Sequence, residues 1–337
     1  MHLTYAFVGR TFFVSNYGKK IPYDCHRYYA AHSGVMNPQY FPDFLLWTYF
    51  ERFMNYDLNY NRVYEDKGVF PYVAKEAGVK IPETLAKKVC GVLYDGDNNI
   101  ISESRLIESM MDKGEVFSKP SRHSCGGSGC SVINFCKETK ASTHQKILSL
   151  GTDFIIQKKV IPHPSISKLY PLAVNTFRVI TYRWKDEFMN IPVFMRVGQG
   201  GAVVDNGAAG GMFVGVKPDG CLTDKAVMPN NTNISVHPDT KVPFKGHVIE
   251  HFSKVVDAAI HLHRHIPQIG LVYWDFTIDN EGDPVLIECN IMNGTIYAVQ
   301  MTHGVPAFGD HTAEILQWIK KMKKTPYSKI KYNAFGN

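Results

Sequence analysis

Two carboxylates and an amide, Asp275, Glu288 and Asn290, stand in a stretch, residues 271–290, that is otherwise largely apolar. The stretch reads as two β-strands joined by a tight turn rich in Asp, Asn and Gly. Alternation along a strand turns residues two apart to the same face, so Glu288 and Asn290 share a face, and Asp275 on the first strand confronts them. Like charges are costly to bury side by side unless a cation neutralises them. An all-oxygen trio suits Mg²⁺, which takes few carboxylates and completes its shell with phosphate oxygens and water, so a magnesium-bound nucleotide is the expected ligand. Asp279, Glu281 and Asp283 lie in the turn itself and are read as solvated turn residues.

Other groups of the right type are dispersed along the chain. Lys119 ends an apolar strand and runs into a glycine-rich loop with Gly126, Gly127, Ser128 and Gly129. Glycines let backbone N–H groups approach phosphates, and the lysine adds a point charge. The loop is not of the Walker type, because no Lys-Ser/Thr follows the last glycine and a strand, not a helix, comes next. Arg178 and Arg196 sit on adjacent strands and can converge on phosphates. His247 and His251, and His261 and His265, are each one helical turn apart, but no carboxylate completes a zinc motif, and both pairs are read as a solvated face. Asp95 to Asn99 resembles half a calcium loop, yet Ile100 stands where that loop needs glycine.

The elements that must position these groups follow from pattern. With 337 residues and 45% hydrophobic content, the chain can bury a large core in two or three lobes. Residues 41–54 read as an aromatic helix, whose rings are assigned to packing in preference to a sugar platform, and residues 64–78 as a short amphipathic helix stopped at Gly78. Residues 89–160 alternate strand and helix signals, including a hairpin across the turn at 95–99. The second half is strand-rich (177–184, 191–197, 211–216), and a long helix over 247–265 leads into the acidic hairpin. Seven scattered cysteines point to reduced thiols and a cytoplasmic setting. No signal peptide or membrane span is expected. A net charge of +6 without a long basic block gives no sign of nucleic-acid binding.

The order of these parts resembles the ATP-grasp superfamily: Lys67 before a helix, Lys119 before the glycine loop, the strand turning at 157–161, paired arginines, then Asp275 and Glu288-Cys289-Asn290. Asp66-Lys67, His163-Pro164, residues 175–178, residues 204–206 with Gly210-Gly211, and the final Glu-x-Asn look like the sugar-transfer-associated ATP-grasp family. The resemblance implies an α+β chain in which ATP lies between two antiparallel sheets. The implied division is an N-terminal helical and aromatic region (1–85), a small lid (86–160), a catalytic domain (161–324) and a tail (325–337). It assigns the nucleotide to Lys67, Lys119, the glycine loop, Gln157, Lys159, Ile161 and His163, the last beside the ribose. Gln157 stands where many relatives have Glu. It assigns Mg²⁺, or Mn²⁺, to Asp275, Glu288 and Asn290, and the acceptor to Asn175, Asp205 and Asn206. Many relatives carry an arginine just before the first metal acid, where this chain has Tyr273-Trp274, so Arg178 or Arg196 supplies the transition-state cation. The implied chemistry joins a small carboxylate to an amine, with sugars or amino acids as the substrate classes, through an acylphosphate. A phosphotransferase and a non-catalytic nucleotide-binding regulator are the alternatives on the same scaffold.

Overall fold

The computed structural model describes residues 2–111, 113–121 and 129–336, with side chains from Val8 onward. Two antiparallel sheets organise the chain. The smaller contains β1 (Thr84–Val89), β2 (Val92–Asp95), β3 (Glu115–Pro120), β4 (Ser131–Asn134) and β5 (Phe154–Lys158), in the order β2-β1-β5-β3-β4. The larger contains β6 (Phe177–Trp184), β7 (Glu187–Asn190), β8 (Val193–Val197), β9 (Met212–Val216), β10 (Leu222–Val227), β11 (Asn233–Ile234), β12 (Leu271–Ile278) and β13 (Pro284–Asn290). Its order is β11-β10-β9-β8-β6-β12-β13, with β7 paired to β6.

Every residue of β12 is buried, because both faces of the larger sheet are covered. Val272, Trp274, Phe276 and Ile278 face one core, with Phe177 and Val179 of β6, Val193 and Met195 of β8, and the helix Phe252–His265. Leu271 and Tyr273 face the other, with Ile180 and Tyr182 of β6, Phe194 of β8, and the N-terminal aromatic helices. The period of two on three neighbouring strands therefore sorts the side chains. Phe41, Phe50 and Met54 of the aromatic stretch lie in this second core, as packing. Ile330, Ala334 and Phe335, near the C-terminus, lie in it too. The smaller sheet has its own core, built by Ala86, Leu106, Val116, Phe135, Ile147 and Ile156 among others.

Three elements differ from their sequence expectations. The hairpin of the smaller sheet turns at Cys90-Gly91, both at positive φ (49° and 84°), the backbone a two-residue hairpin turn demands. The Asp95–Asn99 stretch makes a second reversal, closed by Asp95 accepting the amides of Asp97 and Asn99. The helix expected at 64–78 is two, Leu58–Tyr64 and Phe70–Glu76, interrupted where the Asp66 carboxylate accepts the Gly68 amide. This break carries Lys67. The long helix begins only at Phe252, since residues 247–251 pair elsewhere: the Leu222 amide donates to the His247 carbonyl, and His251 adopts φ 62°.

Candidate functional site

The cavity between the sheets starts where the second core ends. On β6, β12, β8 and β13 the face that holds Ile180, Tyr273 and Phe194 continues as Arg178, Asp275, Arg196 and Glu288, so apolar packing gives way to charge along one surface. Asp275 pairs directly with Glu288 on one side and Arg178 on the other, and Asn290 pairs with Tyr273. A register shift after Asp275 returns Leu286 to the first core beside Phe276 while Glu288 keeps to the cavity. Bulges of this kind re-aim side chains next to sites.

Asp275 is 2% exposed and is held by two guanidiniums. Arg178 donates from Nε and Nη2 at 2.6 and 3.2 Å, and Arg196 Nη2 lies 2.9 Å from the same carboxylate. Burial alone would raise its pKa, but Arg178 and Arg196 outweigh burial and hold it below the usual carboxylate value. Arg196 is itself seated. Thr176 Oγ1 accepts from its Nε and Nη2 (3.0 and 2.7 Å), and Thr176 donates both its amide and its hydroxyl to Asp205 at 2.6 Å. Lys67 Nζ is 2.9 Å from Glu288, and Lys119 Nζ donates to the Ile287 carbonyl at 3.3 Å. Burial pulls the Lys119 ammonium below its ordinary value, although Glu288 opposes that.

Among the described residues the cavity is lined by Lys67, Lys119, Lys158, Lys159, Arg178 and Arg196 against Asp205, Asp275 and Glu288. Six cations against three carboxylates leave an excess of three positive charges, which favours a polyanion. Pro82, Phe117, Val132, Val160, Leu172 and Ile287 supply an apolar wall. A slot lined by both apolar and cationic side chains suits a nucleotide, which has an apolar base and an anionic phosphate chain. Two carboxylates and an amide on neighbouring strands fit a hard divalent cation, because all can offer oxygen.

The cavity thus gathers Lys67, Lys119, Gln157, Lys159, Arg178, Arg196, Asp205, Asn206, Asp275, Glu288 and Asn290. Gln157 is turned to the wall, its Nε2 donating to the Pro82 carbonyl at 3.3 Å, and Lys159 pairs with Glu115. Three expected contacts fall elsewhere. His163 is not in the cavity wall: it caps the short helix Pro164–Ser167 through its ring. Ile161 is 65% exposed and lends only its carbonyl, to the Asn280 amide. Asn175 is fully buried at φ 53°; it donates to the Tyr170 carbonyl and accepts the Gly198 amide, so it shapes the backbone behind the arginines. Gly126, Gly127 and Ser128 lie outside the described residues, while Gly129 has φ 74° and packs where a Cβ would meet the Pro120 ring at 2.8 Å.

Sequence reasoning missed Thr176 and three acids of the N-terminal region. The Glu65 carboxylate accepts the amides of Ile291 and Met292. Glu51 accepts those of Asn293 and Gly294 and the Tyr273 hydroxyl, and Asp43 accepts that of Ile296. The segment that leaves Asn290 is therefore pinned, amide by amide, from more than 220 positions away in the chain. The only signal available was acidic residues among buried aromatics, which points to a buried role without naming the partner.

No curated protein matches the chain. Similar solved structures include an L-amino acid ligase from Bacillus licheniformis (9% identity, TM-score 0.44, 77% of this chain and 48% of that one). They also include the VanG D-Ala:D-Ser ligase from Enterococcus faecalis (12%, 0.47, 77% and 62%) and an N5-carboxyaminoimidazole synthetase from Staphylococcus aureus complexed with ADP (13%, 0.42, 73% and 52%). The chain spans about half to three-fifths of their lengths. The family described as sugar-transfer associated ATP-grasp matches residues 46–313, a span that takes in both sheets, the paired arginines and the Asp275, Glu288 and Asn290 trio. The chain belongs to the sugar-transfer associated ATP-grasp family.

Proposed function

We propose that this protein is an ATP- and Mg²⁺-dependent ligase that joins a small-molecule carboxylate to an amine, releasing ADP and phosphate. The observation that carries the proposal is the single charged surface on which Asp275, Glu288 and Asn290 meet Arg178, Arg196, Lys67 and Lys119. Asp275, Glu288 and Asn290 would hold Mg²⁺, which when bound screens the phosphate charge that repels an incoming carboxylate. Lys67 and Lys119 hold phosphate oxygens by charge-assisted hydrogen bonds. The apolar wall takes the base.

In the reaction a substrate carboxylate oxygen bonds to the γ-phosphorus as its bond to the ADP oxygen breaks. The amine nitrogen then bonds to the acyl carbon, phosphate leaves with the acyl C–O electron pair, and the nitrogen loses a proton. No protein nucleophile is needed. The arginines that neutralise Asp275 would pass to the phosphoryl group where negative charge develops, with Thr176 and Asp205 keeping Arg196 in position. Asp205 and Asn206 line the same cavity and would meet the acceptor.

The test is a product assay with ATP, Mg²⁺ and a panel of acids and amines that includes amino acids, sugar acids and amino sugars. Amine-dependent release of ADP with an amide product is expected. A phosphorylated hydroxyl formed without amine would make the protein a phosphotransferase, and no nucleotide turnover with any pair would leave a binding protein.

A further inference from the structure

Of the two histidine pairs, His261 and His265 stand one turn apart on the exposed face of the helix Phe252–His265, their ring centroids 4.7 Å apart, whereas His247 and His251 precede that helix and a different trio forms there. His247 Nε2 donates to the Ser165 carbonyl (2.6 Å). His251, just ahead of the helix Phe252–His265, instead faces His163, with ring centroids 5.3 Å apart and planes at 88°. Glu250 completes the group: one donor atom each from His163, Glu250 and His251 lie within 4.8 Å of one another.

We propose that His163, Glu250 and His251 form a binding site for a late first-row divalent cation, with Zn²⁺ as its reference ion, separate from the carboxylate trio of the cavity. Two imidazoles and one carboxylate are a recognised zinc donor set that leaves a fourth position for water. Zinc ligands about 2.0–2.1 Å from the metal stand roughly 3.3 Å apart, so closure asks only for small rotations, and Glu250 and His251 are exposed enough to make them. The His163 ring is already oriented. Its Nδ1 is 2.9 Å from Ser165 Oγ, which in turn accepts the Glu250 amide at 3.2 Å; when the ring gives up the Ser165 amide and instead donates Nδ1–H to Ser165 Oγ, Nε2 becomes the nitrogen for a metal. A hydrogen bond on the other ring nitrogen is the usual support of a metal-bound histidine. The His251 ring is backed by Gly282 of the β12–β13 turn, where a Cβ would come within 2.7 Å of it. Neither the His251 ring nor the Glu250 carboxylate has a hydrogen-bond or ion-pair partner among the described residues. The neighbouring acids Asp279, Glu281 and Asp283 differ in this respect, since Lys80 Nζ reaches all three at 3.0, 2.6 and 2.7 Å.

Imidazole donors also separate the two sites chemically, because Mg²⁺ prefers oxygen whereas Zn²⁺, Ni²⁺ and Co²⁺ accept nitrogen. A cation here would tie three parts of the chain. His163 follows the exit from the smaller sheet and donates its amide to the Ile278 carbonyl at 2.9 Å; residues 250–251 open the helix under the larger sheet; and Gly282 belongs to the hairpin that ends in Glu288 and Asn290.

The experiment uses the full chain, stripped of metal and held in excess Mg²⁺, titrated with Zn²⁺ and Co²⁺ by calorimetry and thermal denaturation. One equivalent is expected to bind, with a melting temperature that rises with metal concentration. Bound Co²⁺ should show d–d bands without thiolate charge transfer. His251→Asn and His163→Asn, chosen because Asn tolerates positive φ and can keep the cap, should each lower affinity at least tenfold, whereas Glu288→Gln should leave the equivalent in place. Unchanged affinity in both Asn variants, or a thiolate signature, would overturn the proposal.

Discussion

Asp275 shows how a buried charge is made tolerable. Its carboxylate is neutralised by Arg178 and Arg196, and removing one partner of a buried pair typically costs about 3–5 kcal/mol because a charge is left stranded. Arg178 would remain in an Arg196→Ala variant, so its cost should fall nearer about 1–2 kcal/mol. We expect Arg196→Ala to keep nucleotide affinity within severalfold and to lower turnover by about 100-fold, as loss of a transition-state donor does elsewhere; parallel binding and rate measurements check this, and unchanged turnover would move the acceptor away from Arg196. Glu288→Gln should fold with an unaltered melting temperature to within a few degrees while losing Mg²⁺-dependent turnover. A Mg²⁺ titration of activity compares it with the parent, and near-parental activity would remove Glu288 from the metal site.

At the scale of elements, the site depends on a loop held from outside. Residues 291–296 leave β13 and receive Glu65, Glu51 and Asp43 on their amides. Glu51→Ala strands two amides and the Tyr273 hydroxyl, each worth about 1–3 kcal/mol when buried without a partner, so a urea midpoint should report a loss of at least about 2 kcal/mol. A loss under about 0.5 kcal/mol would mean that water replaces the carboxylate. Strands β12 and β13 and their charged residues were legible because a period of two and a tight turn are local signals. The acids that hold the following loop were not, because nothing near Glu51 or Glu65 in the sequence records which distant amides they meet. The smaller sheet contributes Lys119, and ADP with Mg²⁺ should raise the melting temperature less in Lys119→Ala than in the parent; an equal rise would remove Lys119 from the phosphate site.

At the scale of the whole molecule, β12 and β6 of the larger sheet separate its two cores, and His263 is locked beneath them. It is fully buried, with Nδ1 2.8 Å from the Thr181 hydroxyl, which accepts from Trp274 Nε1, and Nε2 2.8 Å from the Ile269 carbonyl. Burial holds its pKa down at about 4, the Ile269 carbonyl opposing. A histidine depressed in the folded state binds its proton more readily when unfolded, so its contribution is present above about pH 6.5 and is lost as pH falls toward 4. The loss is about 3 kcal/mol at this site. His26, similarly depressed to about 4 by burial, acts in the same direction. Asp43, raised to about 6 by burial against its hydrogen bonds to Ile296 and Tyr29, acts in the opposite one, its stability being greatest at low pH and lost as pH rises through 6. Urea unfolding from pH 7 to 4 should therefore show a fall that is smaller in His263→Gln than in the parent. An identical slope in the two would show that His263 is not the group responsible.

Among the described residues no helix is long and apolar enough to cross a membrane. The sequence by itself determined the acidic hairpin, the strand that carries each arginine and the places of Lys67 and Lys119 along the chain, because each is written in short-range alternation or in a local run of residues. Tertiary structure decided which of these groups face one another. It brought Lys67 to Glu288 and both arginines to Asp275, and it turned His163 away from the cavity toward His251. Register shifts, a helix that starts five residues later than its pattern, and carboxylates paired across the chain follow from the packing of two sheets, and packing partners are not encoded by spacing along the sequence.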